Sequence, residues 1–452
     1  MGLGIGIGNS ILFYNASTSI DVTAAFKERV LADGGTYEAN QCLVDSIDTL
    51  ETQGLLDKVS LMITPNAVKV GKIYAYKPTD DSGDGDFDRS STATRVNSSG
   101  LIENMANNIA RIDYPSAGSC PHLLLEPQST NLITYSEDFS NASWLKTRSD
   151  MVLSSELSPN GIDNAYKLEG TGTGTSYIYD GYSLTSGVPY SVSVFVKNIN
   201  ISLIAITVFG NGYARFDLSN NTVVSSTGDV SLPKIEEYQN GWVRLSCVFT
   251  PPTTQNFNIG FPVINLLGEQ CYFWGAQLEA LPYATSYIPT NGSAVTRVKD
   301  VANNFGDVNT FNSEEGVLFV EMAALSDDGT YRYLTLSDGG SSNRIIVFYY
   351  PVSNTIRTIV SSGGTNYFDS TYTLSDVTIF QKVAIKYKAN DFALWVNGVE
   401  RAFDNSGSAP IGLNVFNFSS GSGSNNFKGK VKQVQIYKEA LTDLELQTLT
   451  TI

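Results

Sequence analysis

The residues able to do chemistry in this chain are few, and their spacing limits what they can do. His122 is the sole histidine among 452 residues, so a Ser-His-Asp or Cys-His relay would have to pass through it. It stands between Pro121 and three leucines, where a structural role is expected. No H-E-x-x-H, phosphate loop or G-x-S-x-G turn occurs. A glycosidase needs only two carboxylates, but acidic residues such as Glu236-Glu237 and Glu314-Glu315 are scattered, and no compact E-x-D-x-E strand pattern exists. No enzymatic activity is expected.

Two kinds of binding remain. In DDSGDGDFD (80–88), Asp80, Ser82, Asp84 and Gly85 match the first half of an EF-hand loop, but the twelfth position is Ser91 rather than a bidentate glutamate. Asp80 and Asp84 are therefore the metal candidates, calcium is the one cofactor to consider, and a solvated acidic linker is the competing reading. Sugar-binding faces set aromatic rings against the apolar side of a pyranose. Tyr349, Tyr350, Tyr367 and Tyr372 are the candidates for that role. Trp144, Trp242, Trp274 and Trp395 lie in or beside hydrophobic runs and are expected in cores. Cys42, Cys120, Cys247 and Cys271 show no C-x-x-C spacing, so neither a zinc ribbon nor a disulfide framework is expected. Cys247 and Cys271 read as buried free thiols.

The elements that must position these residues are mostly strands. Hydrophobic residues make up 42% and charged residues only 16%, with 24 Tyr and 22 Phe; this mixture suits sheets with polar, uncharged faces. Residues 1–8 alternate glycine with Leu or Ile, as an extended arm would. Asp21 is expected to cap one helix and Thr36 a second, whose face carries Leu43, Val44, Ile47 and Leu50. This region, 1–76, reads as a small N-terminal α/β attachment module. Residues 77–130 read as an irregular acidic connector, without apolar periodicity until Leu123. From 131 alternating runs such as YSVSVFVKN and WVRLSCVFT predict a β-sandwich to 296. A second sandwich follows over 297–452, through GVLFVEMAAL and FALWVNGV. A short closing helix is capped by Thr442, with Leu441, Leu444 and Leu446 facing inward. The fold class is thus mainly β, two tandem jelly-roll sandwiches behind the N-terminal module.

Charge narrows the partners. Lys plus Arg is 29 against 45 Asp plus Glu, a formal net charge of −16, which disfavours a nucleic-acid backbone. No stretch approaches the ~18 apolar residues of a membrane span, and no signal peptide is expected.

Two blocks of this sequence resemble a known family. RSSTATRVNSSGLIE (89–103) with ARIDYPSAGSCPHLLLEPQSTNLITYSEDFSN (110–141) resembles a connector of tailed-bacteriophage virion proteins. In them it is often followed by a carbohydrate-binding-like jelly roll ending as WGAQLEALPYATSYIPTNGSAVTR (274–297) does. FALWVNGVE and GKVKQVQIYKEALTDLEL are similar to late strands of laminin-G-like or concanavalin A-like lectin domains. The resemblance implies a tail-fibre, head-fibre or decoration protein on the virion surface, synthesised in the host cytoplasm. Its expected partners are other virion proteins, through the N-terminal module, and host-surface polysaccharide. Fibres of this kind are often trimers, so a homo-oligomer is expected. The rival readings are a purely structural virion protein and a polysaccharide depolymerase.

Overall fold

The computed structural model describes residues 18–263, 268–421 and 423–452, with the backbone alone for 18–22. The glycine-rich opening at 1–8 lies outside the described residues, as does the side chain of Asp21. The chain is mainly β, and its strands build two sandwiches.

The first consists of two antiparallel six-stranded sheets. One runs Leu145–Thr147, Ser176–Leu184, Gln255–Val263, Leu203–Val208, Gly212–Asp217, Thr222–Gly228 in spatial order. The other runs Ser149–Leu153, Tyr166–Gly170, Gln270–Glu279, Tyr190–Asn198, Trp242–Phe249, Val230–Glu237. Because strand side chains alternate between faces, Ile178, Ile204, Ile206, Phe216 and Phe261 meet Val192, Val194, Leu245 and Phe273 in one core. Cys247 and Cys271 are buried free thiols of that core, and burial pushes both well above the usual thiol range. The second sheet is also covered outside, where Ile102 of the connector packs with Phe195, Trp242, Trp274 and Tyr287. The first sheet has no such cover among the described residues.

The second sandwich faces a five-stranded sheet (Thr365–Thr373, Thr355–Ser362, Arg344–Tyr349, Arg332–Ser337, Val415–Asn417) against a larger one. The larger sheet runs Val301–Asn303, Gly85–Asp88, Lys72–Lys77, Val59–Lys69, Gly429–Tyr437, Glu315–Ala324, Gln381–Lys388, Phe392–Val396, Val399–Asp404. Its central strands are buried on both faces. Leu318, Val320 and Ile385 face the five-stranded sheet, while Val317, Phe319 and Trp395 face a helical layer. Two-sided burial explains why GVLFVEMAAL reads as one hydrophobic run. The helices of that layer are α1 (Thr18–Ala32), α2 (Gln41–Thr52) and α3 (Asp443–Thr450).

Here the expected boundaries need correction. The described residues of 1–76, and 77–130, do not stand apart from the second sandwich, because Val59–Lys69 pairs with Gly429–Tyr437 in register Ile63↔Val434. His122–Leu125 joins the same strand, Leu123 opposite Val431. An apolar strand needs partners on both edges and cover on both faces, and periodicity cannot say that they come from the far end of the chain. The connector also holds short strands, including Ala93–Val96 paired with Ile102–Met105. Asn40, not Thr36, caps α2, its Oδ1 accepting from Leu43 N at 3.0 Å. Asp21 falls inside α1, which begins at Thr18. Thr442 caps α3 in a reciprocal box with Glu445, but Leu444 is 72% exposed and Leu446 and Leu449 face inward. A disulfide, Cys42–Cys120, ties α2 to the connector with Cα atoms 5.7 Å apart. Two cysteines 78 residues apart gave no local sign of it.

Where connector and sandwiches meet, charged side chains are almost fully buried. Glu126 Oε2 accepts from Arg111 Nη1 and Arg297 Nη1, each at 2.6 Å, and from Ser286 Oγ at 2.7 Å. Asp300 pairs with Arg111 and, at 3.1 Å, with Arg89 Nη1; its Oδ2 also accepts from Glu126 N at 2.7 Å. Lys428 donates to the Asp300 carbonyl, and burial draws its ammonium down to about 8. Burial alone would raise Glu126, but Arg297, Arg111 and Ser286 overcome it and hold the carboxyl well below its usual range.

Glu126→Gln leaves Arg111 and Arg297 buried without their full counter-charge, so a loss of about 3–5 kcal/mol is expected in denaturant unfolding. The depressed carboxyl contributes stability above its ordinary value of 4.5, and that contribution is lost as pH falls below it; the variant's stability is accordingly expected to vary less with acid than the parent's. Replacing Cys42 and Cys120 by Ser opens a 78-residue closure and is expected to cost up to about 4 kcal/mol, read by the same measurement.

Candidate glycan-binding surface

The outer face of the five-stranded sheet carries exposed aromatic rings in rows set by strand register. Tyr333 lies opposite Phe348, and Phe348 opposite Arg357. The Tyr333 and Phe348 rings stack at 4.5 Å and 14°. Tyr331 continues the stack at 5.9 Å from Tyr333, and Tyr350 meets Tyr331 edge-on at 5.9 Å. Ile346 and Ile359 fill the floor beside them. Phe348 is buried beneath its neighbours, whereas Tyr331 is 39% exposed.

Two guanidinium groups frame these rings. Arg357 lies 5.3 Å above the Tyr350 ring and is held by Asp369 through two bonds of 2.7 and 2.5 Å. The hydrogen bonds to Asp369 raise the Arg357 pKa, so it is a fixed, permanent cation. Arg344 is different: it is half-buried, its Nε is enclosed without a partner, and no carboxylate pairs with it among the described residues. Burial lowers its pKa, partly offset by Tyr333. Stacked rings with polar rims, flanked by planar donors, can hold the apolar face and the hydroxyl edge of a sugar together.

Of the four tyrosines expected from sequence, Tyr350 alone belongs to this surface. Tyr349 is corrected to a core residue, 3% exposed and 6.0 Å from the Phe427 ring. Neighbouring strand residues point to opposite faces, so Tyr349 and Tyr350 were never able to act together. Tyr367 and Tyr372 pack half-buried against the sandwich core, Tyr372 beneath Arg401 at 4.5 Å. The residues missed were Tyr331, Tyr333 and Phe348, and the signal was available: Tyr331/Tyr333 and Phe348/Tyr350 are both spaced by two.

The structure uses Asp80 and Asp84 separately. Asp84 is bound by Arg29 and Lys72, each at 2.9 Å, and accepts from Ala75 N. Asp80 accepts from Ser82 N and Oγ in a local turn. Among the described residues no group of three Asp, Glu, His or Cys side chains is placed to hold a metal ion. His122 is fully buried, with Nε2 3.3 Å from Asp113 Oδ2 but not aligned for a hydrogen bond. Burial pushes its pKa down, as a packed structural imidazole requires.

Tyr349→Ala is expected to cost about 3–5 kcal/mol, as for other large aromatic core truncations. Tyr350→Ala, one residue away, is expected to cost about 1 kcal/mol or less. Thermal unfolding of both variants checks the assignment of the two side chains to opposite faces.

Parts of this chain are similar to known proteins. In solved structures, similarity extends to the carbohydrate-binding module of the Ruminococcus gnavus IT-sialidase, bound to α2,3-sialyllactose, at 20% identity over 31% of this chain and 84% of that one, with a TM-score of 0.27. The NanB sialidase of Streptococcus pneumoniae is similar at 16% identity over 32% of this chain, which spans 25% of the enzyme, with a TM-score of 0.27. Domain 4 of the arabinanase AbnA from Geobacillus stearothermophilus, in complex with arabinotriose, is similar at 13% identity over 37% and 82% of the two chains, with a TM-score of 0.28. A search of curated proteins found no match. Residues 318–447 match the family model of the concanavalin A-like lectin/glucanases superfamily, and the segment that carries the aromatic face is a lectin-like jelly roll.

Proposed function

We propose that this protein is a surface component of a tailed-phage virion, a fibre or decoration protein that adheres to host-surface glycans and catalyses no reaction. The observation that carries the adhesive reading is the open face of Tyr331, Tyr333 and Tyr350 above the buried Phe348, framed by Arg344 and Arg357, on the segment that matches a lectin superfamily. The virion reading is supported by the resemblance of residues 89–141 and 274–297 to virion proteins. The Cys42–Cys120 disulfide suits a particle in oxidising surroundings outside the cell.

On this reading the other virion proteins dock through the N-terminal region, and several copies, as in a trimeric fibre, present the face together. Single sugar contacts are weak, and display in multiple copies raises the apparent affinity without new contacts. No nucleic acid, membrane insertion or metal enters the reading.

The test is retention of purified protein on immobilised capsule and O-antigen polysaccharides, repeated on cells of a bound strain before and after enzymatic removal of surface polysaccharide. Binding that disappears with the polysaccharide is expected, as is a loss of about tenfold or more for Tyr333→Ala with Tyr350→Ala. Folded, assembled protein that binds none of them would point to a purely structural virion role instead.

A further inference from the structure

The first sandwich has its own open face, on the six-stranded sheet that the connector leaves uncovered, and it is built as a trough. Register sets Tyr179 opposite Gly260, Gly260 opposite Thr207, and Thr207 opposite Tyr213. In the next row Tyr177 lies opposite Pro262, and Ala205 opposite Arg215. Small residues thus occupy the middle strands on this face; Ala205 is 2% exposed, and Gly260 and Pro262 are buried. Three strand spacings separate Tyr179 from Tyr213, roughly 14 Å, so a sugar ring would lie against the side chains of this face rather than on the buried middle strands.

One wall is a ring triad. Tyr177, Tyr179 and Phe209 stand 5.2 to 5.7 Å apart, centroid to centroid. A Cβ on Gly260 would come within 2.9 Å of both Phe209 and Tyr179, so the bare glycine is what lets these rings lie against the sheet. Phe209 is 36% exposed, and neither tyrosine hydroxyl has a hydrogen-bond partner among the described residues. Asn256 and Asn258 are exposed on the same face, opposite Ser183 and Gly181.

The other wall carries an unusual charge. Arg215 lies 4.8 Å over the Tyr213 ring, its Nε enclosed without a partner, and it pairs with no carboxylate among the described residues. In a chain with 45 acidic and 29 basic residues, a half-buried guanidinium left without a counter-ion is a feature to be explained. Planar guanidinium donors match a carboxylate through two parallel hydrogen bonds.

We propose that this trough is a saccharide-binding site whose ligand carries a carboxylate. The Tyr177–Tyr179–Phe209 triad takes the apolar face of a pyranose, Asn258 serves its hydroxyls, and Arg215 pairs with the acid group. The site is separate from the Tyr333 face and stands or falls independently of it.

The experiment uses the full chain with Tyr333→Ala and Tyr350→Ala in place, so that the second sandwich is silent. Binding is measured to a panel of polysaccharides bearing uronic or other sugar acids, and to the same polymers after chemical reduction of their carboxyl groups to alcohols. At least one acidic polymer is expected to bind, and about tenfold or more of that affinity to be lost on carboxyl reduction, on Arg215→Gln and on Tyr179→Ala. Carboxyl reduction leaves the protein untouched, so that arm is read even where a variant misfolds. Equal binding of reduced and acidic polymers, or full retention by Arg215→Gln, would overturn the assignment of the carboxylate. No binding to any polymer would overturn the site, as would self-association abolished by Tyr179→Ala in sedimentation, which would mark the trough as a contact between copies of this chain.

Discussion

The buried charge cluster around Glu126 and Asp300 is the constraint on which the rest of this structure depends. Taking a carboxylate out of water costs several kcal/mol, and only close, well-aligned partners repay it. Here those partners come from distant places in the chain: Arg89 and Arg111 from the connector, Arg297 from the end of the first sandwich, and Lys428 from just before the last strand. The set is complete only when all these segments have arrived. The same blocks supply a second buried set, in which Glu279 accepts from Ser129 and Thr285, and Asn131 bridges Ala276 and Ile288. Residues 89–141 and 274–297 therefore supply much of what fastens the two sandwiches to one another.

Covering follows from that junction. With the connector held against one side of the first sandwich, its Trp242–Trp274 face is closed. On the second sandwich, α1, α2 and α3 close the back of the large sheet, and the Cys42–Cys120 bridge holds α2 to the connector. Each sandwich is left with one sheet that is covered and one that is open. Both open faces carry clustered aromatic rings and an arginine without a carboxylate partner among the described residues, Arg344 on one and Arg215 on the other. A stability argument alone does not favour such an arrangement, since a guanidinium Nε enclosed without an acceptor is destabilising.

The sequence by itself determined the class of the protein. Alternating runs, frequent turn residues and low charge required sheets. Thr442 announced its helix through Glu445 three residues on, because capping is local. Spacing by two also held the aromatic face in plain view, in Tyr331 with Tyr333 and Phe348 with Tyr350, since strand geometry makes such residues neighbours on one side.

Only the tertiary structure decided which strands pair and which charges meet. Val59–Lys69 is apolar on both faces, but nothing near it in sequence reveals that its partner is Gly429–Tyr437. Cys42 finds Cys120, and Asp84 finds Arg29, for the same reason. Periodicity reports on contacts within a few residues, whereas pairing, burial of charge and closure of a face are properties of segments that only folding brings together.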